Sequence, residues 1–140
     1  MRITSKGRYG LKAMMELATI DSQDVLLKTR EISERQAIPL KYLEQIINTL
    51  KKQNLVTSVR GSEGGYRLAR PAHDISIYEI LNSLEGDLSI IDKNDPSWGQ
   101  GAQGVFWTEL EDQIRRILEV PLSDFSDQNR AAADSLMYYI

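Results

Sequence analysis

The chain is predicted to be mainly α-helical with a small β-hairpin wing: a winged helix-turn-helix followed by a long C-terminal dimerisation helix. Three observations carry that expectation. Two short amphipathic helices flank a turn at Ile38-Pro39. A glycine-rich hairpin follows directly, between Leu55 and Arg70. After an irregular stretch, a longer helix with an apolar seam returns. Helix, turn, helix and hairpin in that order is the plan of a module that reads DNA.

Met1 to Gly10 lead into a first helix with an apolar stripe of Leu11, Met14, Leu17 and Ala18. Ser5 is expected to cap it, which puts Lys6, Arg8 and Tyr9 in the first turn. Free amides and basic side chains at a helix N-terminus make a natural seat for phosphate. Gly7 and Gly10 weaken a helix, each by roughly 1 kcal/mol relative to Ala in an interior. Glycine in a first turn can instead mark a close backbone approach, and the sequence leaves that choice open.

The β-prone run Val25-Leu26-Leu27-Lys28 reads as a short strand pairing with the hairpin. Thr29 is the expected N-cap of a helix through Ala37, with Ile32 facing inward. Pro39 fixes the turn and disfavours helical geometry at Ile38, so the next helix starts at about Pro39 or Leu40. In it Leu43, Ile46, Ile47 and Leu50 fall at i, i+3, i+4 and i+7, a core face. The opposite face carries Lys41, Glu44, Gln45, Asn48 and Lys52, which can donate to or accept from base edges and phosphates. By itself this is equally an amphipathic surface helix with a solvated face; the hairpin beside it favours recognition. Asn54 suits a left-handed helix end.

In the hairpin, Leu55–Arg60 and Tyr66–Arg70 flank Gly61-Ser62-Glu63-Gly64-Gly65. Glycine permits positive φ and a tip thin enough to enter a groove. Arg60 and Arg67 flank that tip, and a guanidinium there can sit in a narrow, strongly negative minor groove. A plain surface hairpin is the competing reading.

Ser76-Ile77-Tyr78-Glu79 has the form of a capping box, opening a helix with Ile80, Leu81 and Leu84 that stops at Gly86. From Asp87 to Gly104, acidic residues, Pro96 and glycines suggest a mobile loop. The long helix is expected from Val105 to Val120, ended by Pro121. Its Trp107, Leu110, Ile114 and Ile117 are spaced 3, 4 and 3. That seam is too short for a free-standing coiled coil but suits a paired helix in a homodimer, and symmetric dimers read symmetric DNA sites. Packing on its own domain is the alternative. Residues 1–72 are thus expected to bind DNA and 73–140 to serve dimerisation and effector response. The end, from Ser123, reads as a short helix and a docked apolar tail, Leu136 to Ile140.

Charge supports this division. The net charge of −3 conceals 13 Lys/Arg against 7 Asp/Glu in residues 1–72, a net +6, and 4 against 13 in residues 73–140, a net −9. A basic front half suits a polyanion. No run approaches a membrane span and no signal-peptide core is visible, so a cytoplasmic protein is expected. With no cysteine and one histidine, His73, the chain offers no disulfide, thiolate site or recognisable acid–base pair, and is not expected to be an enzyme. Glu85, Asp87, Asp92 and Asp95 lack the ordered spacing of a calcium loop, so no metal site is expected.

Several segments together resemble one family. MRITSKGRYGLKAM at the start, ISERQAIPLKYLEQI across the turn, LVTSVRGSEGGYRLAR in the wing and ISIYEILNSLEG after it look like the Rrf2 family of bacterial transcription regulators. The resemblance implies a homodimer that binds double-stranded DNA at a palindromic operator, more often as a repressor. It implies base reading by Lys41, Glu44 and Gln45 and a minor-groove contact by Arg60. Phosphate contacts are then expected from Ser5, Lys6, Arg8, Tyr9, Tyr42 and the wing backbone at Gly64 and Gly65. Many members hold an iron–sulfur cluster on three cysteines after the LEG segment, whereas this chain has none there, so no such cofactor is expected. It is closer to the cluster-free subgroup that includes the repressor of cysteine metabolism, which implies cysteine synthase as a signalling partner. Two other functions stay open: a winged-helix module that binds protein, and a direct small-molecule sensor with Trp98 and Trp107 near its pocket.

Overall fold

Apolar residues at helical spacing on four helices meet in one core, in a computed structural model that describes residues 1–125. Helix α1 is Ser5–Thr19, α2 is Thr29–Gln36 and α3 is Leu40–Lys52. Strands β1 (Val56–Val59) and β2 (Gly65–Leu68) form the hairpin, α4 is Ile77–Glu85 and α5 is Gly101–Leu118. Single 3-10 turns cover Ala72–Asp74, Pro96–Gly99 and Leu122–Phe125. The expected tail from Leu136 to Ile140 lies outside the described residues.

Met14 and Leu17 of α1, Ile32 of α2, Leu43, Ile46, Ile47 and Leu50 of α3 and Ile80 of α4 are fully buried. Each such side chain stabilises the fold by roughly 1.5–3 kcal/mol relative to exposure. The cluster runs on through Ile75 and Leu84 to Leu122, so residues on both sides of position 72 share it. The core face predicted for the second helix of the turn is buried as expected. Ala37 (φ 54°) and Asn54 (φ 60°) end α2 and follow α3 in left-handed geometry.

Gly7 and Gly10 prove to be sites of close approach. A Cβ on Gly10 would stand 2.0 Å from Leu84 Cδ1, and one on Gly7 2.8 Å from Glu85 Oε1. Glycines three residues apart therefore form a groove on α1 that admits α4. Their cost in helix propensity is the condition for that packing.

Other expectations are corrected. Ser5 does not cap α1: it is the first helical residue, and Thr4 occupies the cap position without a side-chain cap bond. Nor does Thr29 cap α2, since Lys28 precedes the helix and the Glu31 carboxylate accepts its N–H at 3.1 Å. At α1 the Glu85 carboxylate accepts the Gly7 N–H that a cap hydroxyl was expected to take, whereas at α2 Glu31 takes only the N–H of the cap residue itself. The run 25–28 is no strand. Only Leu27 pairs, through reciprocal bonds with Tyr66 of 3.0 and 2.7 Å, because the chain turns into α2 straight afterwards. Helix α5 begins at Gly101 (φ 67°), not Val105, and its Gly104 presses on Gly99, where a Cβ would stand 2.4 Å from the carbonyl carbon. Glycines read as loop thus permit a tight helix entry. Ser76 does cap α4, accepting from Glu79 N–H at 3.0 Å, but the Glu79 side chain pairs with Arg70 instead of closing the box.

Candidate nucleic-acid interface

The core face of α3 leaves the other side of the helix to solvent. Lys41, Glu44, Gln45, Asn48 and Lys52 are all exposed there, and Lys41, Gln45, Asn48 and Lys52 follow one another at spacings of 4, 3 and 4 on one stripe. A charged and an amide side chain at the start of such a stripe offer the donor and acceptor pairs that base edges require. Tyr42, half-buried beside Lys41, turns the other way. Its ring meets Tyr9 edge to face at 5.8 Å, and its hydroxyl lies 3.3 Å from Ser5 Oγ. The first turn of α1 is thereby set against the first turn of α3.

At that α1 end Lys6 is half-buried and Arg8 exposed, and Lys12 Nζ stands 5.9 Å from the centre of the Tyr9 ring. The amides, however, are not the free seat the sequence suggested. Glu85 accepts from Thr4 N–H at 2.9 Å, Thr4 Oγ1 at 2.6 Å and Gly7 N–H at 2.9 Å. Burial opposes its charge, but these hydrogen bonds and the nearby Lys6 outweigh that and hold the carboxyl below its ordinary range. In the sequence Glu85 is legible only as one of four acidic residues without the spacing of a cation site. Its partners lie about eighty residues away in the chain, and Gly7 was the only local hint.

The wing is built for thinness. A Cβ on Gly64 would stand 2.2 Å from Val59 O and 2.9 Å from Gly61 O, so only glycine turns the tip here. The Gly64 amide donates to Gly61 O at 3.0 Å and is therefore engaged within the turn, leaving Gly64 to set the shape of the tip. Gly65 pairs with Val59 at the end of the sheet. Arg60 and Arg67 are exposed; Arg67 pairs through its backbone with Thr57 in the hairpin, and neither guanidinium makes a hydrogen bond or ion pair with a described residue. Lys28, which the sequence did not single out, reaches across from the start of α2 to Ser62 O at 3.0 Å and ties the tip to the body.

The predicted seam on α5 divides. Trp107 and Ile114 are half-buried toward their own chain, whereas Leu110 and Ile117 are exposed together with Val105 and Phe106. Phe106 is 58% exposed, an unusual state for a large aromatic side chain. Trp98 and Trp107 meet edge to face at 5.4 Å, beside an open groove lined by Asp95, Ser97 and Gln103. A small cavity of about 130 Å³ lies between α5 and the segment after α4. Several of its charged groups have partners: Lys93 with Asp87 at 3.2 Å, Arg115 with Glu119 at 3.0 Å, and Glu111 with Ser89. Asp87 and Asp95 are each held below the carboxylate range, by the amide of Ser89 and the hydroxyl of Ser97 respectively.

A family model described as Rrf2, iron-dependent transcriptional regulator, matches residues 3–128. The HTH-type transcriptional regulator IscR of Pectobacterium carotovorum is 36% identical over 96% of this chain and 84% of its own length. IscR of Photorhabdus laumondii is 38% identical over 84% of this chain and 74% of its own. Among solved structures, CymR, the global cysteine regulator of B. subtilis, matches with a TM-score of 0.78 at 28% identity, covering 91% of this chain and 99% of that one. T. potens IscR matches at 0.73 and 33%, covering 99% and 97%. The word iron in the family description does not transfer as a thiolate-held cluster, because the chain has no cysteine. Among the described residues no group of three or more His, Cys, Asp or Glu is placed to hold an ion. No helix among them is long and apolar enough to cross a membrane. With a winged-helix fold and relatives named as transcriptional regulators along nearly its whole length, the chain belongs to the Rrf2 family of DNA-binding transcriptional regulators.

Proposed function

We propose that the protein is a cytoplasmic repressor that binds a palindromic operator as a homodimer, reading bases with α3 and the minor groove with the wing. The observation that carries this reading is the exposed stripe led by Lys41 and Gln45, beside Glu44, on a helix whose opposite face is fully buried. Lys41, Glu44 and Gln45 read base edges in the major groove, and Arg60 enters the minor groove from the wing. Ser5, Lys6, Arg8, Tyr9 and Tyr42 hold phosphates by side chain, with the Gly64-Gly65 backbone lying close along the strand. The exposed Phe106, Leu110 and Ile117 on α5 support pairing with a second copy, with Trp107 and Ile114 flanking the contact. Residues 1–72 then carry recognition and 73–140 the pairing and response.

Selection of bound duplexes from a random pool tests this. The expected product is an inverted repeat with half-site centres about one helical turn, or a multiple of it, apart. An unstructured pool of bound sequences would contradict it. The structural match to a cysteine regulator supports a role in sulfur-amino-acid genes, with cysteine synthase as the signalling partner. Under that reading, cysteine synthase with its ligands changes operator binding; an unchanged titration removes the partner but leaves the regulator.

A further inference from the structure

One carboxylate joins the first turn of α1 to the last turn of α4. Glu85 makes three contacts there, with Thr4 N–H, Thr4 Oγ1 and Gly7 N–H. Two separate features of α1 fit this contact. Thr4, at the cap position, makes no cap bond with its own hydroxyl but donates it to Glu85. Gly7 leaves the room that the carboxylate fills, since a Cβ there would stand 2.8 Å from Oε1. A negative group at the positive end of a helix, bonded to its amides, supplies both the missing acceptors and favourable electrostatics. Without it, α1 opens on an unpartnered Thr4 amide and a glycine, the composition of a fraying turn.

The same turn of α1 supports the recognition helix. Ser5 Oγ lies 3.3 Å from the Tyr42 hydroxyl and Tyr9 stacks edge-on against the Tyr42 ring, with Lys41, Glu44 and Gln45 within one turn of Tyr42 on α3. On the other side, Glu85 is the last residue of α4, and the chain leaves it through Gly86 (φ 82°) toward α5. We propose that Glu85 is a positioning residue for DNA binding: it fixes the first turn of α1, and through Ser5, Tyr9 and Tyr42 the start of α3. The inference rests on the DNA-reading interface proposed above.

The test is operator binding by the full chain, using the selected duplex, for wild type, Glu85→Gln, Thr4→Val and Tyr42→Phe, and for Glu85→Gln combined with Tyr42→Phe. Glu85→Gln keeps the size of the side chain and removes its charge; Thr4→Val removes the hydroxyl donor at an exposed position, and carries the test alone if Glu85→Gln does not fold. The expected result is a wild-type circular dichroism spectrum, faster amide exchange at Gly7, and roughly tenfold weaker operator binding for each folded variant. The loss caused by Tyr42→Phe is expected to be smaller in the Glu85→Gln background than in wild type, because the two act in series. A role confined to stability lowers melting temperature but leaves the affinity of the folded protein unchanged. Wild-type affinity in the folded variants, or strictly additive losses with Tyr42→Phe, overturns the proposal. A wild-type chain that ignores the operator overturns the DNA reading instead, which is a separate outcome.

Discussion

A methyl group added at position 64 would meet backbone atoms on three residues, the nearest being Val59 O at 2.2 Å. Backbone cannot rotate aside as a side-chain end can, so the tip itself must deform. Gly64→Ala is expected to lower stability by about 1–3 kcal/mol, a typical overpacking cost, in a urea titration. An unchanged midpoint would show that the tip is looser than its geometry implies. At the same scale, Arg60→Ala and Gln45→Ala are each expected to narrow the gap between operator and random DNA by roughly 1–3 kcal/mol. Lys6→Ala and Arg8→Ala are expected to weaken all duplexes alike and to flatten the salt dependence, as phosphate contacts do. Titrations of these variants against operator and random duplex at several salt concentrations separate the two classes. If Arg60→Ala left discrimination untouched, the wing would not be reading the groove.

Among the elements, α3 was the most legible from sequence. Leu43, Ile46, Ile47 and Leu50 report their own burial through spacing, and Pro39 marks the start of the helix without help from other residues. The caps of α1 and α2 were less legible. A hydroxyl at Ser5 or Thr29 is a local signal, but neither residue occupies the cap position, and the acceptor for the Gly7 N–H of α1 is Glu85, from a distant element. The start of α5 was hidden for a related reason: glycine reads as loop until its neighbour, here Gly99 against Gly104, is known. The Glu85 contact also makes a pH prediction. Its carboxyl is held below the ordinary 4.5, so it stabilises the fold above that pH, and the stabilisation is lost as pH falls through the depressed value. Glu85→Gln is therefore expected to flatten the acid limb of stability against pH; superimposable acid limbs would contradict the assignment. On α5 the seam read from spacing mixed two faces, because half-burial against the chain's own body and exposure cannot be told apart by period alone. If the proposed homodimer pairs through α5, Leu110→Glu with Ile117→Glu is expected to give a monomer in sedimentation while the fold survives, since both side chains are exposed in the single chain. A dimer that persists would move the interface elsewhere.

For the molecule as a whole, the division of charge has a mechanical sense. Under the proposed reading, a net +6 in residues 1–72 draws α3 and the wing to a polyanion, while a net −9 in residues 73–140 repels the remainder. The summed field orients the approach even though the whole chain is acidic. The family and the winged-helix plan were legible because turn, wing and cap motifs occur in order along the chain. What was not legible is how the two halves touch: α4 packs in the glycine groove of α1, so the segment leading to α5 starts beside the first turn of α1. The most direct measurement is fluorescence anisotropy at physiological salt, with the full chain titrated into its selected operator and into a scrambled duplex of equal length. The account predicts tight binding to the first and binding weaker by roughly 10³ or more to the second. Equal affinity for both would contradict it.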